Sequence, residues 1–313
     1  MASGARRRLR VATRGSALAV WQAEHVAGLL RGVEPELVVE LVRVETGGDR
    51  RLDVPISELG GKGVFAKEVQ AAVLDGRADI AVHSAKDLPS VTPAGLVLAA
   101  VPERGDPRDA LVGSGLADLR EGGTVATGSL RRRVQLAHLR PDLRFEGLRG
   151  NMQTRLDKAS RYDAIVVAAT ALDRLGLSGR IAERLDIKVM LPQVSQGALA
   201  VECRADDGGI RELLTRIEHR PSRQEVDAER GFLAELGGDC SLPAAAHATI
   251  AGDADGAQSG ELRVLGLIAS DDGAIVLRHQ TRGAADDGPA LGRSVARHLL
   301  DEQDGAKLLD RSL

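Results

Sequence analysis

Cys240 sits in the run Leu236-Gly237-Gly238-Asp239-Cys240-Ser241-Leu242-Pro243. Two glycines before it and a proline after it disfavour burial inside a helix or strand. The thiol is therefore expected in a turn, where its thiolate can act as a nucleophile. The competing assignment is a small buried hydrophobe, the commoner fate of an isolated cysteine. A second group is His83-Ser84-Ala85-Lys86-Asp87, directly after the strand-like run Asp79-Ile80-Ala81-Val82. Polar residues just past the carboxyl end of a strand occupy the usual ligand-binding rim of open α/β sheets. Asp87 can act there as a general acid, as a counter-ion to a cation, or as the cap of the next turn. Lys86 can pair with Asp87 or bind an anion.

A third group is Thr127-Gly128-Ser129-Leu130-Arg131-Arg132-Arg133, a small polar turn that opens a helix. Backbone N–H groups at a helix start bind anions, and guanidinium forks match carboxylates. Leu148-Arg149-Gly150-Asn151 and Thr154-Arg155 repeat that chemistry one strand–helix unit later. Phosphate and carboxylate fit these residues equally well, and a solvated helix face is the bland alternative for any arginine run. The chain holds 42 Lys and Arg against 45 Asp and Glu, for a net charge of -3. Local positive charge within an acidic whole points to a pocket for a small anion. A nucleic-acid binder would carry a basic excess and stacking aromatics, whereas aromatics are 2% of this chain. A GxxxxGK[ST] loop and a His/Cys metal spacing are both absent from the sequence, so no metal ligands are assigned.

The elements that must position these groups follow from periodicity. A strand is expected at 9–12, a helix over 16–30 with Ser16 as N-cap, and a β-rich run at 37–42. A helix over 63–74 and strands at 79–82 and 96–101 follow. Residues 46–63 hold five glycines and a proline; a loop of that length is read as a lid over a site. A second α/β unit starts near Pro102, with strands at 124–126 and 163–168 and a helix over 130–139. The chain returns to the first unit near 199–202. Beyond Arg220 a helix over 222–236, with Ser222 and Glu225 as a capping box, precedes strands at 246–251, 261–268 and 274–280 and a helix over 289–300. Strand–helix alternation predicts mostly parallel sheets, and the C-terminal pattern a small α+β domain. The expected domains are 1–101 with 198–219, then 102–197, then 220–313. No internal repeat is visible. Two cysteines cannot make a disulfide framework, no run of about 18 apolar residues is present, and no signal-peptide core follows the basic start. A cytoplasmic, soluble protein is the expectation.

Together the segments resemble the porphobilinogen deaminase (hydroxymethylbilane synthase) family along essentially the whole chain. The matching stretches are ATRGSALAVWQA (12–23), GGKGVFAKE (60–68), DIAVHSAKDLP (79–89), ERGDPRDA (103–110), TGSLRRR (127–133), LRGNMQTRL (148–156), DAIVVAATALDRLGL (163–177), LPQVSQGALAVECR (191–204) and GGDCSLP (237–243). The resemblance implies two periplasmic-binding-protein-like lobes with a cleft, plus the small C-terminal domain. It implies condensation of porphobilinogen to the linear tetrapyrrole hydroxymethylbilane with loss of ammonia, on a dipyrromethane cofactor held as a thioether by Cys240. Cys203 is then structural.

Each pyrrole bears an acetate and a propionate, so growth of the chain gathers negative charge that cations must offset. By the resemblance, Lys86, Ser84, Asp87, Thr127, Ser129, Arg131, Arg132 and Arg155 hold the cofactor. Arg14, Ser16, Gln22, Arg149 and Gln196 meet substrate, with Phe65 covering the site and Lys62 at the base of the lid. Asp87 is the expected catalytic carboxylate, placed to stabilise positive charge near a pyrrole N–H as ammonia leaves. The product would pass to uroporphyrinogen III synthase, and the enzyme would be a monomer without nucleic-acid or membrane partners. Three positions depart from the family. Gly128 and Glu58 stand where serine and a basic residue are common. Asp239 stands where glycine is common, and its charge would disfavour the Cys240 thiolate and slow cofactor loading.

Overall fold

The computed structural model describes residues 7–47, 66–237, 242–252 and 258–309. In chain order the elements used below are β1 (Arg8–Arg14), α1 (Ala17–Val33), β2 (Val38–Val44), α2 (Lys67–Leu74), β3 (Ile80–Ser84), β4 (Leu96–Ala100) and β5 (Asp109–Gly113). They continue with β6 (Thr124–Ala126), α3 (Leu130–Leu139), β7 (Arg144–Glu146), α4 (Met152–Lys158), β8 (Ala164–Ala168), α5 (Ala169–Arg174), β9 (Glu183–Arg184), β10 (Leu199–Arg204) and α6 (Gly208–Thr215). The last are α7 (Arg220–Glu235), β11 (Ala244–Gly252), β12 (Gln258–Ala269), β13 (Val276–Ala284) and α8 (Gly288–Arg297). The chain divides into two compact units, 1–104 with 198–223 and 105–197 with 224–313.

The first unit is built on the sheet β2-β1-β3-β10-β4. β1 runs parallel to β2 and β3, and β10 runs antiparallel to β3 and β4. Helices cover both faces, so the strands read as near-continuous apolar runs. The two-residue period still sorts the side chains. Leu9, Val11 and Val82 pack with Ala23, Val26 and Leu30 of α1 and Leu213 and Leu214 of α6. Ala12 and Ala81 face the other way, onto Val69, Ala72 and Val73 of α2. β1 and β3 lie side by side and parallel, so their carboxyl ends open along one rim.

The second unit contains the sheet β7-β6-β8-β5-β9. β6 is parallel to β7 and β8, while β5 is antiparallel to β8 and β9. The strand plan is that of the first unit: three parallel strands, then an antiparallel one delivered from elsewhere in the chain. A repeat absent from the sequence is thus present in the topology, because burial preserves apolar pattern rather than residue identity.

The same unit holds the antiparallel sheet β11-β12-β13. One face packs Ala246, Ala248, Val264 and Ile268 against Ala228 and Phe232 of α7 and Val295 and Ala296 of α8. The other packs Ala245, Leu267 and Ala269 against Val134 of α3 and Leu191. The result is the expected mixed α/β architecture with a small C-terminal α+β part.

Some boundaries differ from expectation. α7 begins at Arg220, so Ser222 lies inside its first turn, where Pro221 is favoured. The Ser222 hydroxyl accepts from the Arg104 N–H at 2.9 Å, and Glu225 accepts from the Ile250 N–H at 3.3 Å, in place of the expected capping box. β13 ends at Ala284, four residues beyond the expected end. Residues 48–63 of the expected lid lie outside the described residues.

Candidate active site

In the first unit the rim is made by the residues after β1 and β3. Ser16 ends the turn after β1 and caps α1, accepting from the Ala19 N–H at 3.3 Å. Thr13 fixes the same turn by donating its buried hydroxyl to Ala19 O at 3.0 Å. Gln22, buried one helical turn further on, donates from Nε2 to Ser84 Oγ at 2.8 Å, so α1 and the end of β3 are tied together. After β3 the Ala85 N–H donates to Ala198 O at 3.0 Å and the Leu88 N–H to Ala85 O at 3.2 Å. These bonds close one 3-10 turn over Ala85–Asp87. Asp87 is half-buried on that turn, and no hydrogen bond or ion pair engages its carboxylate among the described residues. The capping role open from sequence is therefore not the one it plays. Behind the turn, His83 Nε2 lies 3.1 Å from Glu202 Oε2, and Glu202 also accepts from Gln70 Nε2 at 2.9 Å. Lys86 and Arg14 lie at the same rim, both half-buried.

In the second unit the corresponding rim follows β6 and β7. The Thr127 N–H donates to Glu146 O at 2.9 Å, and the Ser129 N–H to Thr127 Oγ1 at 3.2 Å. Ser129 Oγ then accepts from the Arg132 N–H at 3.4 Å and caps α3. Next door, Asn151 Oδ1 caps α4 by accepting from the Thr154 N–H at 3.0 Å. Arg155 donates from Nε to Gly150 O at 2.8 Å. The two loops touch: a Cβ on Gly128 would stand 2.7 Å from Leu148 O. A side chain at 128 would push the two loops apart, so glycine suits this approach.

Beneath this rim lies Asp109, the first residue of β5 and fully buried. It accepts from Arg131 Nη1 at 2.7 Å, from Arg132 Nε and Nη2 at 3.0 and 2.8 Å, and from Gln196 Nε2 at 2.9 Å. Burial pushes its carboxyl up, but the charges of Arg131 and Arg132 and the hydrogen bonds from Arg131 and Gln196 together outweigh that and hold it well below the usual carboxylate range. Burial lowers the Arg131 guanidinium, and Asp109 opposes it. Arg131 Nε and Nη2 and Arg149 Nη1 are enclosed polar atoms without a hydrogen-bond partner. A buried cationic donor left unmet is costly, so these three atoms mark where an anion is wanted.

Two of the expected site residues also have internal partners. Arg132, expected among the cofactor donors, gives Nε and Nη2 to Asp109 and Nη1 to Val166 O at 3.0 Å. Gln196, expected to meet substrate, shares its Nε2 between Asp109 and Pro107 O at 2.7 Å. Both follow from Asp109, which sequence reasoning missed. Its signal was a charge heading the apolar run DALVG, since a buried carboxylate requires partners. Arg174 was also missed. Mostly buried on α5, it donates from Nη2 to Gly197 O at 2.7 Å, and burial pushes its guanidinium down to about 10. Cys203 is buried and its thiol is pushed up to about 11, which suits a structural role. Lys62, Phe65 and Cys240 lie outside the described residues, as do Glu58 and Asp239. Among the described residues there is no cluster of His, Cys, Asp and Glu able to hold a metal. No helix among them is long and apolar enough to cross a membrane.

Comparison with known proteins gives two family matches. Residues 9–212 match the dipyrromethane cofactor binding domain of porphobilinogen deaminase, and residues 223–301 match its C-terminal domain. The chain is 47% identical over 307 residues to a porphobilinogen deaminase of Nitratidesulfovibrio vulgaris, covering 96% of this chain and 95% of that one. It is 46% identical over 312 residues to one from Syntrophomonas wolfei, covering 97% and 98%. Among solved structures it is similar to the effector binding domain of BenM with its effector benzoate, at 13% identity and a TM-score of 0.41, over 75% of this chain and 95% of that one.

Proposed function

The chain belongs to the porphobilinogen deaminase family, and on that footing we propose how its residues divide the work of the reaction. The enzyme is a transferase of tetrapyrrole biosynthesis that condenses porphobilinogen to hydroxymethylbilane with release of ammonia. Its cofactor is dipyrromethane, which when bound supplies the terminal pyrrole carbon from which the product chain grows. One observation carries the assignment of the binding residues: Arg131 Nε and Nη2 and Arg149 Nη1 are enclosed and unmet. A pyrrole's acetate and propionate are anions of the right charge and geometry for such forks. The donor set therefore fits a polycarboxylate group.

In this reading Cys240 holds the cofactor through its sulfur. Arg131, Arg149, Arg155 and Lys86 receive acid side arms, and Arg14 and Ser16 meet the incoming substrate. Exclusion of water around Arg131 strengthens the contact Arg131 makes. Gln22 holds Ser84, which fixes where the turn after β3 points. Asp87, which has no partner to compete for it among the described residues, accepts from a pyrrole N–H and stabilises positive charge as ammonia departs. It can also move a proton at the reacting carbon. The reading extends to residues 220–313 acting as a separate third domain, to a cytoplasmic monomer, and to delivery of the linear product to uroporphyrinogen III synthase for ring closure.

Intact-protein mass spectrometry and steady-state turnover test it together. Wild type is expected to carry the mass of two pyrrole units and Cys240→Ser none. Asp87→Asn is expected to keep the adduct and its melting temperature while turnover falls roughly 10²–10⁴-fold. A wild-type chain that stays unmodified after incubation with porphobilinogen, or an Asp87→Asn enzyme near wild-type turnover, would refute the assignment.

A further inference from the structure

β3 ends in His83 and Ser84, whose side chains point to opposite faces of the sheet. Ser84 faces α1 and accepts from Gln22 Nε2 at 2.8 Å. By the same alternation His83 lies with Ala81 on the face of α2, where Val69, Ala72 and Val73 make an apolar layer. Three polar side chains interrupt that layer. Gln70 of α2 donates from Nε2 to Glu202 Oε2 at 2.9 Å and to Oε1 at 3.2 Å. His83 Nε2 stands 3.1 Å from Glu202 Oε2, an ion-pair contact outside hydrogen-bond alignment. All three are buried, and Glu202 is 1% exposed. Among the described residues no Arg or Lys pairs with it. Burying a carboxylate there costs stability that an apolar side chain would not, so packing alone does not account for it.

Its place in the sheet says what it holds. On β10, Glu202 lies opposite Ala81 and Ala200 lies opposite His83, so Glu202 and His83 are diagonal neighbours on one face. The turn that carries Asp87 leans on the same segment, since Ala198, just before β10, accepts from the Ala85 N–H at 3.0 Å. On its other edge β10 pairs with β4, and there the register skips a residue of β4 between Val201 and Glu202. A bulge of this kind bends a strand and re-aims the side chain beside it. We infer that Gln70, His83 and Glu202 are positioning residues for Asp87: they fix the end of β3 against β10 and α2 while Gln22 fixes it against α1. The turn over Ala85–Asp87 is short, and the Asp87 carboxylate has no partner of its own among the described residues, so where the strand ends decides where that carboxylate points. Ties from both faces keep the strand end from sliding or rocking. The inference rests on the catalytic reading of Asp87 given above and adds the residues that aim it.

Glu202→Gln keeps the shape and removes the charge, and Gln70→Met keeps the bulk and removes the tie. The first readout is amide hydrogen exchange by NMR in the Cys240→Ser chain, which makes it independent of the adduct. The Ala85 and Leu88 amides, which close the turn, are expected to exchange about tenfold faster in either variant, while amides of the second unit hold their rates. The second readout is turnover with Cys240 in place. Each variant is expected to form the two-pyrrole adduct and to lose about tenfold or more in kcat at nearly unchanged KM. Added to Asp87→Asn, Glu202→Gln is expected to lower kcat hardly further, because residues that act through one another are not additive. Four results overturn the inference and leave the family reaction standing: wild-type kcat in the folded variants, a loss that falls on KM instead, turn amides that stay protected, or the same fold loss with and without Asp87. An Asp87→Asn enzyme near wild-type turnover removes the catalytic reading and this inference together. If Glu202→Gln does not fold, Gln70→Met, alone and with Asp87→Asn, decides.

Discussion

Gly292→Ala is expected to destabilise the second unit by about 2 kcal/mol, although alanine is the better helix former. Gly292 lies on α8 where that helix crosses α7. A Cβ there would fall inside contact with Ala228 O, and would stand 2.8 Å from Phe232 N and 3.0 Å from Ala228 C. All three are backbone atoms, so no side chain can swing aside. Ordinary separation of about 3.5 Å requires the helices to part by about 0.7 Å to clear Phe232 N and by more to clear Ala228 O, and a gap of even the smaller size forfeits roughly a quarter to a half of each dispersion contact. Val295 and Ala296 of α8 would lose part of their packing on Phe232 and Val264. Overpacking of this kind costs about 1–3 kcal/mol and at times more. Backbone clashes belong at the upper end, and the helix-propensity gain returns about 1 kcal/mol.

The matched control for Gly292→Ala is Gly28→Ala, an exposed position on α1 with nothing within 4 Å of a new Cβ. It carries the same propensity gain without the clash, and is expected to melt with wild type or slightly above it. Melting is followed by circular dichroism, because the single tryptophan, Trp21, sits in the first unit. At about 2–4 °C per kcal/mol for a unit of roughly this size, Gly292→Ala should lower the midpoint by about 4–8 °C. If Gly292→Ala melts at or above wild type, or Gly28→Ala falls just as far, the close crossing is not what holds α8 in place.

Other perturbations separate stability from function. Arg149→Met keeps the apolar stem and removes an enclosed donor without a partner, so melting is expected to hold or rise while KM for porphobilinogen increases; a lower melting point at unchanged KM would contradict this. Gly128→Ser places its Cβ 2.7 Å from Leu148 O and is expected to cost about 1–3 kcal/mol in urea unfolding, rather than supply a useful hydroxyl. Stability should also depend on pH in two windows. Asp163 and Asp173 titrate low through hydrogen bonds from Arg120 and Arg184, as Asp109 does beside its arginines. The folded state then binds fewer protons than the unfolded one, so this stabilisation is present above about pH 4 and lost as the pH falls below it. Cys203 has the opposite sign: burial raises its thiol from 9.0 to about 11, so its contribution is present below the lower value and lost as the pH rises through the upper one. Melting midpoints across pH check both limbs, and Cys203→Ala should flatten the alkaline one.

Much of this protein is written locally. Ser16 and Ser129 could be placed as helix starts from sequence because an N-cap bond reaches only three residues along the chain. Asp87, Thr127 and Arg149 could be placed just past strand ends because strand–helix alternation puts such residues there, and the order of the motifs sufficed for the family. Other features had no local signature. Asp109 lies 22 residues from Arg131, on a strand that enters its sheet antiparallel, and nothing between them announces the meeting. Ser222 is read locally as a cap, but in the fold its hydroxyl accepts from an N–H 118 positions away. The doubled strand plan left no repeat to read. Which of two adjacent arginines has its donors met inside and which leaves two of them unmet depends on the atoms that end up buried around each. Burial is a property of the packed chain: the same guanidinium is inert when its donors are met inside and reactive toward anions when they are not.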